Sequence, residues 1–426
     1  MPNTNKLRGP RCVAIVGPYG AGKTTLLESI LWITDATQRK GSIAAGNTVG
    51  DYSAEARARQ MSVEINAATT SYLDESFTFL DCPGSIEFLQ ETLNALHGVD
   101  AALVVCEPDS AKAAMLQPYL KRLADLNIPH ALFVNKIDKA GGAIRETLAT
   151  LQEVAPKPLV LRQIPIWENG IAVGFVDLAL ARAHVYREHA PSELIDMKDE
   201  IQAREGEARF EMLEKLADYN EHLMEELLSD IDPPNDEVFA DLERDLAEGL
   251  IVPVFIGSAE GDNGVRRLLK AFRHETPEVN KVAARLGVAD DGTLVHVMKT
   301  YHTGHGGKLS LARVLSGEVK DGMVLYRAGG TEARVSGLFT LKGDGQNKIS
   351  EAGPGATIAL GRMDAFVTGD ALFSKKDGVL PEIANESLAP VYGLAISATD
   401  RKDEVKISAA MAKLRDEEPS LVLEHN

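Results

Sequence analysis

The chain has 426 residues, 44% of them hydrophobic, and a formal net charge of −18. That length exceeds what one hydrophobic core supports, so several domains are expected, and the acidic balance excludes nucleic-acid binding by bulk attraction, sequence-specific DNA included. There is no amino-terminal apolar signal and no run of 18 apolar residues. A soluble, cytoplasmic protein without a membrane partner is therefore expected.

In chain order, residues 12–16 (Cys-Val-Ala-Ile-Val) read as a buried strand, and residues 24–31 carry leucine and isoleucine at helical spacing. Between them lies Gly17-Pro18-Tyr19-Gly20-Ala21-Gly22-Lys23-Thr24, a phosphate-binding loop in the strand–loop–helix setting it requires. Glycines let backbone N–H groups turn inward around phosphates, and the helix start adds partial positive charge. Lys23 neutralises phosphate, and Thr24 offers a hydroxyl to Mg²⁺.

After the strand-like residues 77–80 comes Asp81-Cys82-Pro83-Gly84. Its aspartate is expected to hold Mg²⁺ through water, and Gly84 to donate its N–H to a γ-phosphate. Residues 131–134 lead into Asn135-Lys136-Ile137-Asp138 at a strand's carboxyl end, where open α/β sheets place ligands. Guanine offers two donors to a carboxylate such as Asp138, and adenine has no matching pair, so GTP and GDP are the expected ligands. Asn135 is expected to tie this loop to the phosphate loop, and the Lys136 stem to cover the base. Gly257-Ser258-Ala259, after the apolar run 251–256, would complete the base pocket through Ser258 and Ala259.

Alternating strands and helices over residues 11–139 predict a doubly wound α/β sheet. Residues 154–250 interrupt it, with strand-like runs at 159–166 and 170–177 and an acidic helical stretch from 191 to 248. The acidic helices read either as solvated faces or as a surface toward partner proteins. The sheet resumes at 251–273. The expected division is residues 1–153 and 251–285 for nucleotide binding, with 154–250 inserted. Short strands between turn spellings such as Gly306-Gly307, Asp321-Gly322, Gly329-Gly330 and Thr368-Gly369-Asp370 predict an antiparallel β-barrel over 286–385. A strand at 391–397, a helix at 404–417 and a strand from 421 read as the start of a ferredoxin-like α+β domain over 386–426. A fragment of a longer protein is expected. Cys12, Cys82 and Cys106 have neither metal-ligand spacing nor disulfide parity and read as small core residues, and the ten histidines form no ligand cluster.

These elements together resemble a translational GTPase of the elongation factor G type. Residues Gly17 to Leu26 look like that family's phosphate loop, and Ala67-Ala68-Thr69-Thr70 looks like the strand leaving its first switch. Asp81-Cys82-Pro83-Gly84 with Phe88 is similar to its second switch, and residues 133–138 to its base-reading loop. The resemblance implies a P-loop GTPase domain with an inserted subdomain, which elongation factor Tu lacks, followed by the barrel. It implies nucleotide contacts from Gly17, Gly20, Ala21, Gly22, Lys23, Thr24, Thr25, Asp81 and Gly84, switches over residues 36–62 and 81–96, and the ribosome as partner.

Three positions depart from the family. Its water-orienting histidine follows the glycine of Asp-x-Pro-Gly, and Ser85 stands there; His97 is about three helical turns away. Gly20 replaces an aspartate of the phosphate loop. The first-switch threonine that holds Mg²⁺ falls on Val63 by counting, with Ser62 alongside as its substitute. Two readings follow: a ribosomal factor with weak intrinsic hydrolysis, in translocation or a specialised role, or a non-hydrolysing GTP-binding scaffold.

Overall fold

Consecutive side chains on a strand point to opposite faces. In β1 (Arg11–Val16), Cys12, Ala14 and Val16 enter one core, and Val13 and Ile15 enter the core across the sheet. Helices cover both faces, which is why the run is apolar throughout instead of alternating. The computed structural model describes residues 7–141, 144–187, 190–288, 292–303, 307–378 and 387–424.

From β1 the chain passes through α1 (Lys23–Ile33), α2 (Ala54–Arg59), β2 (Asn66–Tyr72), β3 (Glu75–Asp81), α3 (Leu89–Leu96), β4 (Ala101–Cys106), α4 (Gln117–Asp125), β5 (His130–Val134) and α5 (Ile144–Val154). It continues through β6 (Leu159–Leu161) into β7 (Gln163–Glu168), β8 (Ile171–Asp177), β9 (Arg182–Arg187) and β10 (Ala190–Ile195). Helices α6 (Asp199–Ala217), α7 (Glu221–Leu228) and α8 (Asn235–Ala247) precede β11 (Val252–Ile256), α9 (Val265–Glu275) and α10 (Val279–Arg285). The nucleotide-domain sheet has the order β2-β3-β1-β4-β5-β11-β6, parallel except for β2. The strand order reverses at β1: the chain passes from β1 to β2 and β3 on one side and then from β3 across to β4 on the other, and at such a reversal the carboxyl ends of the strands open the crevice where these sheets bind ligands.

The inserted unit is a four-stranded antiparallel sheet, β10-β9-β8-β7, whose core is shared with the three helices through Ile164, Val176, Met212, Leu216 and Leu242. Two expectations need correction here. The run 159–166 is divided at Arg162: β6 joins the edge of the main sheet beside β11, and β7 opens the second sheet. The stretch from residue 191 is not helical at its start, because Pro191 to Ile195 lie in β10 and the first helix begins at Asp199. Among the described residues β10 pairs only with β9, an edge position that tolerates proline, and its largely exposed run Ala-Pro-Ser-Glu-Leu-Ile carries no alternating pattern.

The second domain comprises β12 (Leu294–Thr303), β13 (Gly307–Ser316), β14 (Val319–Lys320), β15 (Val324–Arg327), β16 (Glu332–Arg334), β17 (Leu338–Lys342), β18 (Gly345–Ile349), β19 (Glu351–Ala352), β20 (Thr357–Gly361) and β21 (Ala371–Phe373). These antiparallel strands curl around Val295, Val314, Leu325, Ile358 and Phe366, as the expected barrel would. Gly329 and Gly330, with φ of 92° and 88°, make the turn between β15 and β16. Gly306 lies outside the described residues.

Beyond the barrel, α11 (Glu404–Glu417) forms as expected and packs on β12. The flanking strands do not: residues 391–397 and 421–424 adopt no strand, and Val391, Tyr392, Leu394 and Ile396 are exposed. A strand needs a hydrogen-bonded neighbour, and among the described residues none lies beside either segment. No helix among the described residues is long and apolar enough to cross a membrane.

Candidate nucleotide-binding site

The phosphate loop connects β1 to α1 and depends on glycine at two points. Gly17 has φ 134°, and a side chain there would strike the Val105 carbonyl; Gly22 has φ 94° and lies against the Asn135 amide. Gly20 also has positive φ, 80°, with open space around it. Lys23 is buried and donates from Nζ to the Pro18 carbonyl at 3.1 Å. Burial lowers its pKa, with Asp81, Cys82 and Asp51 opposing. Gly84 packs onto this loop: a Cβ on it would lie 2.8 Å from Tyr19 N and collide with the Lys23 ammonium. Thr25 is half-buried on the first turn of α1.

The expected Mg²⁺ ligands meet beside Lys23. Thr24 Oγ1 donates to Asp81 Oδ2 at 2.7 Å and lies 3.2 Å from Ser62 Oγ. Ser62 therefore faces the site, whereas Val63 lines a cleft toward the barrel. A residue that sequence reasoning missed, Asp51, joins them. It is only 4% exposed, near enough to Ser62 and Thr24 for their hydroxyls to lower its pKa, yet neither oxygen has a hydrogen-bond partner of good geometry. Burial raises the pKa of both acids, that of Asp81 to about 7 with Asp51 the next cause. Two buried carboxylates side by side, with Lys23 and hydroxyls nearby, suit a divalent oxygen-ligated cation of the Mg²⁺ kind. Asp51 sits in coil with no motif around it, so no local signal marks it.

The residues expected to read the base are held by contacts to backbone. Asn135 is buried; its Nδ2 donates to the Ala21 carbonyl and its Oδ1 accepts from Ala259 N, both at 2.8 Å. One side chain thus joins the phosphate loop to the Gly257-Ser258-Ala259 turn, which Ile137 N also contacts through the Gly257 carbonyl at 3.0 Å. Ser258 is fixed by paired backbone bonds with Asn263. Lys136, in the left-handed region at φ 59°, donates to the Gly20 carbonyl at 2.8 Å and pairs with Glu107. Asp138 is half-buried, and its Oδ1 is enclosed without a hydrogen-bond partner. Lys40 reaches across from the first switch to the Ala259 and Glu260 carbonyls, at 2.6 and 2.8 Å.

The Ser85 hydroxyl donates to Glu87. His97 lies at the barrel interface, edge-on to His296, so it does not replace a histidine at position 85. Arg57 and Arg59 project from the exposed face of α2. Cys12, Cys82 and Cys106 are free and buried.

Comparison with known proteins agrees with this geometry. Residues 9–278 match the GTP-binding domain of elongation factor Tu. The chain belongs to the translational GTPase family. Residues 294–375 match domain 2 of elongation factor G, which places it among the elongation factor G-like members. The whole chain aligns at 44% identity with an "Elongation factor G-like protein" of Synechocystis sp., and 98% of it at 27% identity with elongation factor G of Fervidobacterium nodosum; in each case it spans 62% of the relative. A crystal structure from Thermus thermophilus superposes with a TM-score of 0.85 at 27% identity, over 97% of this chain and 62% of that one. The GTP-binding domain implies guanine-nucleotide binding.

Proposed function

We propose that this protein is a GTP- and Mg²⁺-dependent switch of the elongation factor G type that works on the ribosome in the cytoplasm, with slow hydrolysis of its own. The observation that carries the reading is Asn135, which joins the phosphate loop to the base-pocket turn at 2.8 Å on each side. Lys23 would bind the β- and γ-phosphates, while Gly84 presents its N–H to the γ-phosphate and Asp138 accepts from guanine N1–H and N2–H. Thr24 and Asp81, with Ser62 beside them, would hold Mg²⁺, which supplies positive charge against the phosphates. Loss of γ-phosphate would release the first switch and α3, both of which touch the barrel.

Hydrolysis requires a water held in line with the γ-phosphorus, so that the bond to the β-phosphate breaks to give GDP and phosphate. Ser85 is hydrogen-bonded to Glu87 and carries no charge, which supports slow turnover without a partner. GTP hydrolysis measured with and without ribosomes tests this. The expected result is tight GTP binding, little turnover alone, and stimulation by ribosomes that Lys23→Ala abolishes. Tight binding with no turnover in either case would favour the non-hydrolysing scaffold.

A further inference from the structure

The first switch meets the base pocket at one residue. Lys40 Nζ donates to the Ala259 carbonyl at 2.6 Å, to the Glu260 carbonyl at 2.8 Å and to Asp262 Oδ1 at 2.6 Å. A lysine ammonium carries three N–H donors, so these bonds occupy all of them. The side chain is only 19% exposed, and water competes weakly for the contact. Both ends of the contact are tied to α1. Gly41 N donates to Glu28 Oε2 at 2.9 Å, and a Cβ on Gly41 would lie 2.6 Å from that oxygen and 2.7 Å from the Asn47 carbonyl. Asp262, in the left-handed region at φ 61°, accepts from Ser29 Oγ at 2.6 Å.

We infer that Lys40 is a positioning residue of the guanine pocket: by fixing the turn at residues 259–262 it slows release of guanine nucleotide and ties that release to the first switch. The inference rests on the GTP reading above and adds a contact at the base end of the nucleotide, away from the phosphates. Ala259 is held from two sides, its N–H donating to Asn135 Oδ1 and its carbonyl accepting from Lys40. Asn135 is the side chain that also holds the phosphate loop, through the Ala21 carbonyl. Slack in the turn would therefore reach the residue that joins the two halves of the site. An exposed ion pair contributes little, since two flexible side chains must be ordered for one contact. Lys40 is ordered once for three bonds, and two of its acceptors are backbone carbonyls with no side-chain freedom to lose.

The test uses the full chain loaded with a fluorescent GDP and chased with excess unlabelled GDP, with Mg²⁺ present and again with excess chelator. Lys40→Met keeps the aliphatic stem and removes the donors. It is expected to speed GDP release by at least about fivefold, the size of one net hydrogen bond, with the association rate unchanged. The ratio of mutant to wild-type release rates is expected to be the same with and without Mg²⁺, because the contact lies at the base. Lys40→Arg, which keeps donors for the same acceptors, is expected to release GDP more slowly than Lys40→Met. Unchanged release in Lys40→Met would overturn the inference, as would release from Lys40→Arg as fast as from Lys40→Met. A ratio that falls to one under chelator would place the effect at the cation and overturn it too. Each of these results leaves guanine binding intact. If the wild-type chain retains no fluorescent GDP, the nucleotide reading itself fails, and this inference with it.

Discussion

Tyr301 on β12 donates its hydroxyl to the Ile65 carbonyl at 2.6 Å, at the point where the first switch becomes β2. Beside it, the buried Lys299 pairs with Glu91 of α3, which also accepts from Ile65 N at 3.1 Å. One strand of the barrel thus grips both segments expected to move with the nucleotide. Tyr301→Phe leaves a buried carbonyl without its donor and is expected to cost about 1–3 kcal/mol, read by denaturant unfolding. A loss under about 0.5 kcal/mol, the low end for a net hydrogen bond, would show that the contact does not hold the domains together.

Glu64 reports on the same junction through pH. Burial first, then Glu91, Glu417 and Glu55, push its pKa from 4.5 to about 7 against the opposing charge of Lys299. A carboxyl with a raised pKa binds protons more tightly in the folded state, so stability falls as pH rises from about 4.5 to about 7. Glu64→Gln is expected to flatten that slope and to raise stability at pH 8 by roughly 1–3 kcal/mol, after solvent screening. Melting curves at pH 5 and pH 8 check it; the same pH slope in mutant and wild type would contradict it.

The Asp138→Asn substitution turns part of an acceptor pair into a donor. GTP binding is expected to weaken by at least about 100-fold, with preference shifting toward xanthosine nucleotides, in equilibrium competition. Unchanged preference for guanine would remove Asp138 from the base pocket.

Ser85→His, combined with Glu87→Ala to free the imidazole, supplies the missing water-orienting group. Single-turnover hydrolysis with ribosomes is expected to rise at least about tenfold, below the full contribution of a well-placed general base. No gain would locate the defect elsewhere, with Gly20 the next candidate.

Lys23, Asp81, Asn135 and Asp138 were legible because each lies in a short motif at the end of a strand that its own residues specify. The helix at 404–417 was legible from its own composition, which is rich in helix-forming alanine, lysine, leucine and glutamate. Asp51 and Glu28 were not: what makes them matter is a loop held by backbone N–H bonds to a side chain on α1, a tertiary fact with no spacing to announce it. β10 escaped notice because an edge strand that opens on Ala190 and Pro191 and carries Ser192 and Glu193 at its centre has no apolar alternation. The run 391–397 misled in the opposite sense, since its apolar residues favour a strand only when another strand lies beside them.

The most direct measurement is displacement of a fluorescent GDP from the full chain by unlabelled GTP and by ATP, with Mg²⁺ present. GTP is expected to displace it at least about 1,000-fold more effectively, because ATP offers no donor pair to the Asp138 carboxylate. Equal displacement by the two nucleotides would contradict the assignment of the Asn135–Asp138 turn as a guanine reader.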